Sequence, residues 1–193
     1  LRRITPYHFP LKSGKGFTLV ESLVAISILS LSILATFTAG QGSLQASSNS
    51  KNQIAAFFLI QDAMEYVKNV RDNNALNSVT GITTHWLSGL SEVADDPCYF
   101  GKICYVDSYE NEATNCVALP AAQVVSSCPS IRRNPGNDLL GYNPAWTDTT
   151  FRRGIQFTEI TPGEEVRVTV NISWVSRGVT KTFSVSETLF NRQ

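Results

Sequence analysis

The stretch KSGKGFTLVESLVA, residues 12–25, decides how this chain is read. Two lysines and two glycines give way to an apolar run in which Glu21 is the only charge. The run continues as FTLVESLVAISILSLSILATFTAG over residues 17–40. At ~1.5 Å of helical rise per residue it covers about 36 Å, against the ~30 Å of a bilayer's hydrocarbon core. Its serines and threonines are too mild to form the polar stripe of a soluble core helix, so the segment reads as membrane-spanning. A carboxylate in such a helix costs about 2.5–3.5 kcal/mol on insertion scales and is rare without a partner. Glu21 therefore asks for an explanation.

The chain has 193 residues, 42% hydrophobic and 17% charged, enough for one domain of ordinary size and an anchor. Its zero net charge hides an asymmetry. Arg2, Arg3, Lys12 and Lys15 stand with no acid in residues 1–16, which leaves 12 basic and 16 acidic side chains beyond them. No basic patch is available to neutralise phosphates, so nucleic acid is not an expected partner. The basic residues ahead of the apolar run predict an N-terminus kept in the cytoplasm and a remainder outside. Three readings of the run compete. A secretory signal cut after it would use Ala39, with the bulky Phe37 two places earlier. A plain uncleaved anchor has no use for Glu21. A cut ahead of the run, between Gly16 and Phe17, keeps the helix in the mature chain.

The third reading carries a resemblance. Gly16-Phe17-Thr18-Leu19-Val20-Glu21, after a short basic leader and before an uninterrupted apolar helix, resembles the signature of type IV prepilins. That family comprises type IV pilins, the minor pilins of the same fibres and the pseudopilins of type II secretion; the continuation through Ile26 is most similar to minor members. The resemblance implies cleavage after Gly16 by a prepilin peptidase and N-methylation of the new terminus, Phe17. It implies assembly with other pilin or pseudopilin subunits through an inner-membrane platform, with Glu21 drawing the terminal amine of a neighbour. Chemistry agrees, because cleavage makes a cationic amine near the carboxylate, and the two attract strongly at low dielectric. The bland reading of Glu21 is a carboxylate that snorkels, unpaired, to the interface.

Beyond residue 40 a helical pattern survives. Ile54, Phe57, Phe58, Met64, Val67 and Val70 recur at steps of three and four, with Lys51, Asp62, Glu65, Lys68 and Arg71 between them, which predicts an amphipathic stripe packed on a globular head. Asp72-Asn73-Asn74 reads as the helix end. Residues 165–174 alternate apolar and polar, residues 179–189 do so more loosely, and Ser176-Arg177-Gly178 supplies a turn, so 165–190 reads as an antiparallel hairpin. Residues 151–160 form a third strand of the same sheet. The expected fold is α+β and pilin-like, a long N-terminal helix on a C-terminal antiparallel sheet. Its segments are a leader (1–16), a membrane and assembly helix (17–40), an amphipathic helix (41–74), an irregular cysteine-containing region (75–150) and the sheet (151–193).

All four cysteines, Cys98, Cys104, Cys116 and Cys128, fall in the irregular region. The spacing lacks a zinc knuckle, and a head facing outside is expected to be oxidised. Three connectivities are open; the local one, Cys98–Cys104 with Cys116–Cys128, is favoured. No cofactor, metal site or catalytic group is expected. His8 and His85 cannot make a zinc enzyme, and no serine sits in a nucleophile elbow. Asp107, Glu110, Asn111 and Glu112 form an acidic cluster that could hold calcium, but they lack the spacing of a calcium loop and read as solvated. The expected role is a minor pilin or pseudopilin, anchored in the cytoplasmic membrane as a precursor, its mature head outside in a fibre. The alternative is a membrane-anchored extracellular binding or adhesin domain that never enters a fibre.

Overall fold

The computed structural model describes residues 16–118 and 120–191. The leader residues Arg2, Arg3, His8, Lys12 and Lys15 lie outside the described residues. The chain divides into two compact units, Leu1–Ser48 and Asn49–Gln193. One helix, α1 (Leu19–Val79), runs through the boundary, followed by an antiparallel sheet, giving the α+β arrangement expected.

In the first unit, every described residue from 16 to 44 is exposed. Large apolar side chains such as Leu23, Ile28, Leu31, Ile33 and Phe37 point away on all sides of the helix, each at least half exposed. An apolar surface without a polar face is the mark of a helix whose solvent is lipid or other apolar helices. Among the described residues this is the one helix long and apolar enough to cross a membrane.

In the second unit, the sheet has seven strands: β1 (Ile103–Asp107), β2 (Glu112–Asn115), β3 (Ser130–Arg133), β4 (Leu140–Gly141), β5 (Thr147–Thr161), β6 (Glu165–Ser176) and β7 (Val179–Phe190). All pairings are antiparallel. The long β5 organises it. One edge pairs with β6, and the other pairs first with β3 and then with β1. Period-two alternation sends Val166, Val168, Val170, Ile172 and Trp174 of β6 to one face, all buried, where they meet α1. The β6–β7 turn has Arg177 and Gly178 at φ 52° and 76°, the two positive angles of a type I′ hairpin.

Three expectations are corrected here. The buried face of α1 consists of Ala56, Leu59, Ile60, Ala63, Met64 and Val67, whereas Ile54, Phe57 and Phe58 are 58%, 51% and 62% exposed. Residues 54–60 read IAAFFLI, apolar on every side, so periodicity cannot fix the phase; Ala56 and Ala63 let the helix approach the sheet closely and Phe cannot. The helix also runs past Asn73 to Val79. Asn74 Nδ2 donates to the carbonyls of Trp86 and Ser88, so this asparagine ties down the following loop instead of ending the helix. The true end is at Gly81 (φ +91°), where Gly81 N bonds Ser78 O and Ile82 N bonds Asn77 O, a Schellman cap. Finally, the region 75–150 contains β1 to β4, strands too short to leave a clear alternation.

Candidate functional site

The residues expected to carry function at the N-terminus form the start of α1. Gly16, Phe17 and Thr18 precede the helix, and Phe17 is 80% exposed. Among the described residues nothing lies within 4 Å of where a Gly16 Cβ would stand. Packing among the described residues therefore places no demand for glycine at this position. Thr18 caps the helix: Glu21 N donates to its Oγ1 at 3.2 Å and Ser22 N to its carbonyl at 3.1 Å. Thr18-x-x-Glu21 is a capping-box spacing that the sequence offered and the periodicity argument passed over. Glu21 falls in the first turn, where the unpaired amides of a helix start favour a carboxylate.

Further along, the hydroxyls turn inward on their own helix. Ser27 donates to Leu23 O, Ser32 to Ile28 O, Thr36 to Ser32 O and Ile33 O, and Thr38 to Leu34 O and Ala35 O. These polar atoms are satisfied without a neighbour, as a helix in hydrocarbon needs.

In the head, disulfides join Cys98 to Cys104 and Cys116 to Cys128, with Cα separations of 5.1 and 4.5 Å. Asp107 of the acidic cluster is buried and spent on backbone amides. Its Oδ1 accepts from Tyr109 N and Glu110 N, and its Oδ2 from Tyr142 N. Among the described residues no group of three potential metal ligands gathers. His85 is half-buried, and its Nδ1 accepts from Leu87 N within the loop.

The residue that sequence reasoning missed is Arg153, 3% exposed on the helix-facing side of β5. Its Nη1 donates to Leu59 O at 2.6 Å and to Asp62 Oδ2 at 2.7 Å, and its Nη2 to Val106 O at 2.7 Å. One guanidinium thus joins α1, β5 and β1. Beside it, burial pushes the Tyr142 phenol up, against the opposing pull of Arg153's charge. Across the β3–β5 pairing, Ser130 and Arg132 hold the exposed Asp148 carboxyl of β5 below its ordinary value through hydrogen bonds of 2.7 and 2.8 Å. Where α1 and the β6–β7 turn diverge, a groove of about 560 Å³ opens between Ile54, Phe57 and Phe58 on one side and Trp174 and Phe183 on the other. Among the described residues Lys181 is its one charged lining residue. The side chains of Ser176 and Asn49 meet at 2.9 Å close by.

Neither curated proteins nor solved structures yield a match to this chain. A family model described as the prokaryotic N-terminal methylation motif matches residues 11–37, a span that holds the unconstrained Gly16, the exposed Phe17 and the capped Glu21. Within that span the chain carries the prepilin-type signature.

Proposed function

We propose that this protein is a minor pilin or pseudopilin subunit, cut between Gly16 and Phe17 by a prepilin peptidase and methylated at the Phe17 amine. Its N-terminus faces the cytoplasm before cleavage, and its head, stapled by two disulfides, lies outside. The mature helix enters a fibre through the inner-membrane assembly platform, and Glu21 meets the terminal amine of an adjoining subunit. The observation that carries this reading is the motif at residues 11–37, set on a glycine that no described residue crowds. The all-round apolar helix supports assembly, because it needs a covering of lipid or of other helices wherever it sits. The first-turn position of Glu21 supports its role: the helix start already lowers the cost of the carboxylate, and an incoming amine removes most of the remainder.

Mass spectrometry of the protein from cells with an active prepilin peptidase tests this. The expected chain begins at Phe17 and is one methyl group heavier than the unmodified sequence. A chain that keeps the residues ahead of Phe17, or one that starts at Gly40, refutes the reading. Glu21→Ala is expected to leave cleavage intact and to lower recovery in sheared fibres; unchanged recovery removes the pairing role while leaving the processing role standing.

A further inference from the structure

The last strand of the head leaves one side open. Among the described residues β7 pairs with β6 and with no other strand. It runs for twelve residues, VTKTFSVSETLF, without proline or glycine. Because Ser176–Val179 closes a two-residue hairpin, the odd-numbered residues of β7 bond to β6. The even-numbered ones, Thr180 to Thr188, turn their N–H and C=O groups outward. Edges of this length and β-propensity pair with another strand unless something blocks them. A lysine is the usual block, and Lys181 stands here. It is matched, however, by Glu187 on the same face, six residues on.

That match selects a partner. An antiparallel mate must set residues of equal parity opposite one another, or the outward groups of one strand face the inward groups of the other. Among the registers that satisfy this, the one centred on Ser184 places Lys181 against Glu187 of a second β7, and Glu187 against its Lys181. Phe183 then faces Val185 twice. The sequence K-x-F-x-V-x-E is its own complement when reversed. Registers shifted by one residue pair about the centre set Lys181 against Val185 or Leu189 and lose both ion pairs. The centre also adjoins the apolar groove, since Thr182 and Phe183 line it. A second copy therefore brings two exposed clusters of Phe57, Phe58 and Phe183 together around one axis. Glu187, held by Lys68 Nζ at 2.7 Å and 42% exposed, keeps room for a second cation.

We propose that the free edge of β7 binds the β7 edge of a second copy of this chain, in the antiparallel register centred on Ser184. The contact is isologous and closes on itself. Its two-fold axis stands normal to the sheet, so the segments of α1 that pack on the two sheets run in opposite directions. The pairing rests on the head alone and not on the fibre reading.

The test uses the full chain at one copy per lipid nanodisc, with disc pairing followed by sedimentation velocity. Wild-type discs are expected to pair. Lys181→Glu and Glu187→Lys are each expected to weaken pairing at least about tenfold, because like charges then face each other twice. An equal mixture of the two single variants is expected to pair as the wild type does, since every facing charge is again opposite; the doubly substituted chain is expected to pair with itself. Unchanged unfolding curves for both variants show that the head is intact. Wild-type discs that stay single overturn the proposal, as does a mixture that fails to pair or a pairing indifferent to both substitutions. None of these outcomes depends on cleavage at Gly16, so they separate this inference from the assembly role.

Discussion

Replacing Arg153 by methionine keeps most of its stem and removes the guanidinium. The side chain is 3% exposed and makes three charge-assisted hydrogen bonds of 2.6–2.7 Å. Breaking a buried ion pair from one side costs ~3–5 kcal/mol when the remaining charge stays buried. Here the orphan is Asp62, whose side chain is 45% exposed and can take up water. The larger share comes from Leu59 O and Val106 O, which lose a donor in a dry setting at about 1 kcal/mol or more each. Together these set the loss at about 3 kcal/mol, which for a head of this size lowers Tm by roughly 6–12 °C. Asp62→Asn keeps an acceptor near the guanidinium at a half-exposed position and is expected to cost about 1 kcal/mol. Thermal unfolding of the full chain in detergent, followed by the fluorescence of the buried Trp86 and Trp174, measures both. Arg153→Met within 1 kcal/mol of wild type, or Asp62→Asn as damaging as Arg153→Met, refutes the reasoning that the guanidinium chiefly serves the two carbonyls.

On the opposite face of β5 from Arg153, Gly154→Ala would bring a Cβ to 2.5 Å from Ile103 Cδ1, 2.9 Å from its Cγ1 and 3.1 Å from Cys128 Sγ. Overpacking of this kind costs ~1–3 kcal/mol, readable in the same unfolding assay, and a neutral result would show that Ile103 can turn away. Tyr142 and the half-buried Tyr66 have phenols raised above 10.0, chiefly by burial. A raised folded value gives stability that is complete below the unfolded value and fades as pH climbs past it. Unfolding temperature is therefore expected to fall as pH rises beyond 10, and Tyr142→Phe is expected to flatten that fall; an unchanged slope would assign the alkaline loss to other groups.

How far the sequence alone could be read depended on whether a pattern admits one phase. Residues 17–40 needed none, because an apolar run without a polar face means the same thing from any angle. The β6–β7 hairpin was legible because alternating valines from Val166 to Val170 and the Arg177-Gly178 turn agree on one register. Residues 54–60 failed the same test: apolar all round, they concealed that Ala56, one of their least conspicuous members, sets the contact together with Ala63 two turns on. Arg153 was hidden beside Arg152, since two adjacent arginines in a strand give no sign that one faces the core. At the N-terminal site, Gly16, Phe17 and Glu21 were visible at once as types at fixed offsets. The hydroxyl of Thr18 that caps Glu21 needed a helix start to become visible.

A helix that is made in one medium and used in another must carry its polar atoms through the exchange. Because Ser27, Ser32, Thr36 and Thr38 return their protons to carbonyls one turn back, these four hydroxyls would have no bond to surrender on passing from lipid into a bundle of helices. For these four side chains such a transfer breaks no hydrogen bond in either direction.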